Sequence, residues 1–181
     1  ETHIQAFKEK NLQAALSRIV SIVVQPGVDF SHTYVTQYSK SSAKKLVAQL
    51  SKYKDIAFEA HSTDYQQTTG LANLVADHHL FLKVGPELTF ALREALFLLA
   101  KIEDELFKDK ASNLIQVVFK TMDNNPKDWI NYYHGSIDEQ QFLKHYSYSD
   151  RIRYYWDRPD VNSAINKMIK NLDDVDIPEF V

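Results

Sequence analysis

Residues 56–83 set the strongest limit on what this chain can become. The apolar run Ile56-Ala57-Phe58 leads to Glu59, His61 and Asp64. A polar turn, an amphipathic segment and a second apolar run, Leu80-Phe81-Leu82, follow, and that run ends in Lys83. The order reads as strand, loop, helix, strand. The titratable residues stand where the strands stop, and ligands of parallel α/β proteins bind at that edge of the sheet.

The rest of the chain extends the pattern. Residues 1–18 read as one or two helical pieces, and residues 19–24 as a β-branched strand stopped by Gln25-Pro26-Gly27. A loop over 28–39 precedes a helix over 41–53 with Leu46, Val47 and Leu50 inward. The spacing predicts a helix over 70–79, with Leu71, Leu74 and Val75 inward, and a strand over 80–84 stopped by Gly85-Pro86. The longest helix then carries Leu88, Leu92, Ala95, Leu96, Leu99, Ile102 and Leu106 as its buried stripe, with Arg93, Glu94, Lys101 and Asp104 elsewhere. After Phe107 the texture turns to helical pieces over 111–122, 126–133, 138–144 and 160–172, with an acidic end over 173–181 that is disordered or docks elsewhere.

Strands alternating with helices define an α/β chain with a parallel sheet. A closed (β/α) barrel of the TIM type has eight strands and typically about 250 residues. With 181 residues and three convincing strands, this chain is either a small open sheet or part of such a barrel with an added helical lobe. Side-chain parity favours the barrel portion. Ile56, Phe58 and Ala60 share one face, and Ala57, Glu59 and His61 the other; Leu80, Leu82 and Val84 oppose Phe81 and Lys83; Ser21, Val23 and Gln25 share a face. Gln25, Glu59 and Lys83 would then point toward one centre. The expected division is a barrel portion over 1–107 and a helical lobe with the C-terminal segment over 108–181.

Composition narrows the class. A chain 44% hydrophobic and 25% charged is an ordinary globular one. Its net charge of -3 gives no reason to expect nucleic acid or an anionic membrane as partner. It has no cysteine, which excludes disulfides and thiolate metal sites and suits a reducing compartment. No apolar run approaches the roughly 20 residues of a membrane span. The first residues, Glu1-Thr2-His3, lack the basic and apolar regions of a signal peptide, so a cytoplasmic location is expected; they also lack an initiator methionine, so the chain is read as part of a longer one.

Several blocks resemble one family. Ile22-Val23-Val24-Gln25-Pro26-Gly27-Val28-Asp29-Phe30, Glu59-Ala60-His61-Ser62-Thr63-Asp64-Tyr65-Gln66, and Leu82-Lys83-Val84-Gly85-Pro86 with Leu88-Thr89-Phe90-Ala91-Leu92-Arg93-Glu94-Ala95 carry the likeness. Ser149-Asp150-Arg151-Ile152-Arg153-Tyr154-Tyr155-Trp156 and Val175-Asp176-Ile177-Pro178 continue it. In this order they resemble the non-catalytic (Z-type) subunit of class II D-tagatose-1,6-bisphosphate aldolase. The resemblance implies an aldolase-type TIM barrel with a helical lobe, of which this chain is the C-terminal part. It implies a role in galactitol and N-acetylgalactosamine catabolism, in which the subunit supports the activity and stability of a separate catalytic subunit that holds a divalent metal, zinc. An oligomer is expected. Some relatives carry the older label of tagatose-6-phosphate kinase, but no GxxxxGK[ST] loop is present here.

Each candidate residue has a chemical and a structural reading. His61, Glu59 and Asp64 could ligate a divalent metal, or form a hydrogen-bonded cluster at the barrel mouth. No second histidine stands at ligand spacing, and adjacent His78 and His79 diverge on a helix. Lys83 could be a Schiff-base amine or the ion-pair partner of Glu59. Gly85 and the helix start after it could receive a sugar phosphate, with Gln25 and Asp64 near it, or form a tight turn needing a small residue. Arg151 and Arg153 could add phosphate contacts or bind carboxylates between lobes. Tyr132, Tyr133, Tyr146, Tyr148, Tyr154, Tyr155 and Trp156 read as lobe core or subunit contact rather than a stacking platform for single strands. Lys40, Lys44, Lys45, Lys52 and Lys54 read as a solvated face. The second function class is a sugar-phosphate lyase in its own right, with a metal near His61.

Overall fold

Three of the β-branched and aromatic runs become the strands of one parallel sheet in the order β1-β4-β5: β1 Ser21–Val24, β4 Ala57–Ala60 and β5 His79–Leu82. The computed structural model describes residues 2–53, 55–173 and 175–177. Lys54 of the lysine run, Pro178 of the last matched block and most of the acidic end lie outside them. The chain divides into two compact units, residues 1–30 with 34–85, and residues 31–33 with 86–181.

In the first unit, helices α1 Thr2–Glu9 and α2 Gln13–Leu16 precede β1. The loop expected over 28–39 also forms a small antiparallel ladder, β2 Asp29–Phe30 with β3 Val35–Thr36. Helix α3, Lys40–Val47, starts at Ser39, whose hydroxyl accepts the Ser42 N–H and so satisfies a donor that the first turn leaves unpaired. A 3-10 turn, Ala48–Lys52, finishes it. Helix α4, Thr68–Ala76, crosses from β4 to β5. The core is Val28, Tyr38, Ala43, Ala60 and Leu74, with Val47, Leu71 and Leu82 against it. Val75, expected inward, is half-exposed.

The parity expected for β4 holds: Phe58 and Ala60 are buried, Ala57 and Glu59 less so. In β5 it does not. Phe58 pairs with His79 but Glu59 pairs with Phe81, so Leu80 is an extra bulged residue. His79 therefore takes the covered face at 0% exposure, while Leu80 stands out at 61%. On the opposite face Val23 and Phe81 are about half exposed. β1 and β5 each keep one edge unpaired among the described residues.

The second unit is helical: α5 Pro86–Phe107, α6 Leu114–Asn124, α7 Ile137–Tyr146 and α8 Pro159–Leu172. Ser136 and Glu139 close a capping box at the start of α7. The core gathers Ala100, Leu114, Val118, Met122, Trp129, Tyr133, Ile152, Tyr155, Val161, Ala164 and Met168. The helix expected over 126–133 is only a 3-10 turn, Pro126–Asp128, followed by isolated turns in which Ile130 and Tyr133 donate to Pro126 and Trp129.

Only part of the expected stripe of α5 turns inward: Leu96 and Leu99 pack against the core and Ile102 is partly buried. Leu88, Leu92 and Leu106 are about half exposed or more, whereas Arg93, Ala100 and Glu103 are buried. The charged residues can go inside because each finds partners. Arg93 Nη1 donates to Asp150 at 3.1 Å, and Glu103 accepts from Ser112 N, Ser112 Oγ and Asn171 Nδ2. Helix α5 packs Leu96, Phe97 and Leu99 against this core. The boundary between the two compact units falls before α5, at Gly85 and Pro86.

Candidate functional site

The polar residues of the first unit collect at the C-terminal ends of β4 and β5. Glu59, on the sheet face away from α4, accepts from His61 Nε2 at 3.0 Å, and Ser21 Oγ lies 3.5 Å from its other oxygen. Both side chains of the Glu59–His61 pair are about one-third exposed. A carboxylate that orients an accessible imidazole can hold or pass a proton, which is the chemistry this pair offers.

The loop after β4 is tied down by a second set of contacts. Thr63, buried, donates to the Lys83 carbonyl through its hydroxyl at 2.9 Å and its N–H at 3.3 Å. The Lys83 N–H donates to the Ala60 carbonyl, continuing the ladder past β5. The Asp64 carboxylate, also buried, accepts the Gly85 N–H at 2.8 Å. Ser62 and Tyr65 both sit in the left-handed region, with φ of 59° and 60°, where residues other than glycine are strained. Gln66 accepts from Tyr38 N and donates to the Thr36 carbonyl, and Gln37 donates to the Tyr65 carbonyl while accepting from Gln67 N. Two glutamines thus clamp the strained loop to the segment before α3.

This geometry sorts the candidates of the first unit. Glu59 and His61 come together. Asp64 does not join them, because its carboxylate is spent on Gly85. Glu59 pairs with His61 rather than Lys83, and Lys83 is exposed. A Schiff-base lysine depends on burial to release its proton, and Lys83 lacks that burial in this chain. Gln25 folds back to donate to the Val28 carbonyl instead of reaching the sheet centre. Gly85 donates its N–H to Asp64, and a Cβ built on it would meet nothing within 4 Å, so the turn does not need a small residue. Among the described residues no three or more His, Asp or Glu side chains gather as a metal would require. Glu59 and His61 supply two donors, one short of the three protein ligands of a catalytic zinc.

Arg151 and Arg153 belong to the second unit, where both contact neighbouring aromatic side chains. Arg151 Nε donates to the Asp128 carbonyl, its N–H donates to Tyr133 Oη, and its guanidinium lies 3.6 Å over the Tyr132 ring. Arg153 Nη2 donates to Tyr154 Oη. Of the aromatics, Tyr133 and Tyr155 are core, while Tyr132, Tyr146 and Tyr154 are exposed. Burial pushes the Tyr133 hydroxyl up to about 12. Lys40 is paired with Asp77 at 3.0 Å, and Lys44, Lys45 and Lys52 are exposed.

Sequence reasoning had no way to assign Thr63, Gln66 or Gln37 as clamps, since polar residues in a loop look alike until the fold pairs them. Their only signal was that Thr63 and Gln66 fall inside the block that carries the family likeness.

The fold and this edge define an α/β chain with a parallel sheet whose strand ends present a small polar site. The chain belongs to the D-tagatose-1,6-bisphosphate aldolase subunit GatZ/KbaZ-like family, whose model matches residues 1–181. It is also similar to a crystal structure described as "a probable tagatose 6 phosphate kinase from Sinorhizobium meliloti 1021", with 47% identity and a TM-score of 0.96 over 98% of this chain. The chain spans 46% of the length of that protein. No described helix is long and apolar enough to cross a membrane.

Proposed function

We propose that this chain is part of an accessory subunit of D-tagatose-1,6-bisphosphate aldolase. It would support the activity and stability of a separate catalytic subunit in galactitol and N-acetylgalactosamine catabolism, in the cytoplasm. The divalent metal, zinc, would sit on that partner and stabilise the enediolate of aldol cleavage. In this reading residues 1–107 contribute part of a TIM-type barrel and residues 108–181 a helical lobe. The family match over the whole chain carries the proposal. The site agrees with it: Asp64, Gly85 and Arg151 each spend polar groups on internal contacts. The four glycines of this chain stand singly, so it carries no glycine-rich phosphate cradle of its own.

The test is co-purification of the full-length protein with the catalytic subunit. A stable mixed complex on size exclusion supports the reading, and separate elution at micromolar concentrations opposes it. The accessible Glu59–His61 pair keeps a second reading in view, a sugar-phosphate lyase in its own right with a divalent metal near His61. On that reading His61→Ala would abolish turnover by the isolated protein.

A further inference from the structure

The second unit contains a cavity of about 460 Å³ whose lining includes Arg93, Lys101 and His145 and one carboxylate, Glu94. Its apolar wall includes Phe97 and Ile115. The volume falls in the range of small-molecule sites, which are mostly apolar with a few convergent polar groups. We propose that this cavity binds a small organic anion: a phosphate or carboxylate on an apolar body, with the anionic end at Arg93, Lys101 and His145 and the body against Phe97 and Ile115.

Three observations support the assignment. Arg93 is 2% exposed and is held in place by Asp150 at 3.1 Å and by the Phe90 ring 4.0 Å from its guanidinium carbon, so the cation is fixed before any ligand arrives. His145 is fixed too, stacked on Phe119 with ring centroids 4.0 Å apart and edge-on to Phe97. Burial first, and then the charges of Arg93, Lys101 and Lys144, hold the His145 ring below its usual range, and all three cations act in the same direction. The opposite charges nearby are Glu94 in the lining, Asp150 on Arg93 and Asp123 on Lys144.

The experiment is a titration of the full-length protein with phenyl phosphate, followed by the NMR signals of the His145 ring, with phenol as the uncharged control. The expected result is a saturable shift with phenyl phosphate, none with phenol, and proton uptake by His145 at higher pH in the complex, because an adjacent anion favours the imidazolium. Lys101→Gln, a substitution on a solvent-exposed position of α5 that leaves the core intact, should weaken binding about fivefold to tenfold, the loss of one charge-assisted contact. An equal response to phenol, no saturable shift, or unchanged affinity in the Lys101→Gln protein would overturn the proposal.

Discussion

The Asp64 carboxylate accepts the backbone N–H of Gly85 at 2.8 Å, so the loop after β4 is locked to the end of β5 by a side chain that the sequence offered as a ligand. Removing it breaks a charge-assisted hydrogen bond made by a buried carboxylate. Asp64→Ala should therefore destabilise the chain by about 1–3 kcal/mol. Gly85→Ala should change stability by less than about 1 kcal/mol, because nothing lies where its Cβ would go. Urea unfolding of the two variants checks this, and a larger loss for the glycine variant would reverse the assignment.

Arg93 and Asp150 form an ion pair in which both side chains are almost wholly buried. Burial pushes the Asp150 carboxyl up, and the Arg93 guanidinium pulls it back down. Deleting one partner strands the other charge, so Arg93→Met or Asp150→Ala alone should cost about 3–5 kcal/mol. The paired replacement Arg93→Met with Asp150→Leu should cost less than the sum of the single changes. A double-mutant cycle by denaturant melts measures the coupling, and additive losses would contradict it.

His79 is buried with Nδ1 on the Leu74 carbonyl at 3.1 Å and Nε2 without a hydrogen-bond partner among the described residues. Burial lowers its pKa below 6.5 and His78 adds to that, while the Leu74 carbonyl and Asp77 oppose it. Tyr38 and Phe58 supply the aromatic walls. Below the unfolded pKa the unfolded chain holds more protons than the folded one, so stability rises with pH there and is lost on acidification from about 6.5 down to the folded pKa. His79→Phe should shrink the fall in melting temperature between about pH 7.5 and about pH 5.5. His145, lowered in the same direction, will leave a remainder. An unchanged fall would show that His79 is not a source.

Among the described residues the sheet of the first unit has unpaired edges at β1 and β5, and Val20, Ile22, Val23, Leu80 and Phe81 are exposed on these two strands and the residue before β1. Exposed apolar edges template pairing with another chain. The 181-residue chain by itself should therefore self-associate, and Val23→Lys with Phe81→Lys should raise its monomer fraction in sedimentation velocity. A cooperative monomer for the unsubstituted chain would contradict this.

The order of strands and helices was legible because hydrophobic period and Pro-Gly punctuation report local structure directly. The sheet side of Glu59 was legible for the same reason. What failed was side-chain direction where a non-local partner decides it. The leucine stripe of α5 has helical spacing, yet Arg93 and Glu103 are inside because Asp150, Ser112 and Asn171, distant or unremarkable in sequence, satisfy them. The bulge at Leu80 leaves no mark in the pattern, since Leu80 and Phe81 are equally apolar. The pairing of Glu59 with His61 needed only a strand geometry. That of Asp64 with Gly85 needed the whole turn, and no motif announces it.

The accessory-subunit reading is tested most directly by aldol cleavage of tagatose-1,6-bisphosphate with the full-length protein, alone and mixed with the catalytic subunit, each with and without zinc. The account predicts no turnover by this protein alone and more turnover in the mixture than by the catalytic subunit by itself. Zinc-dependent cleavage by this protein alone, lost in His61→Ala, would contradict it.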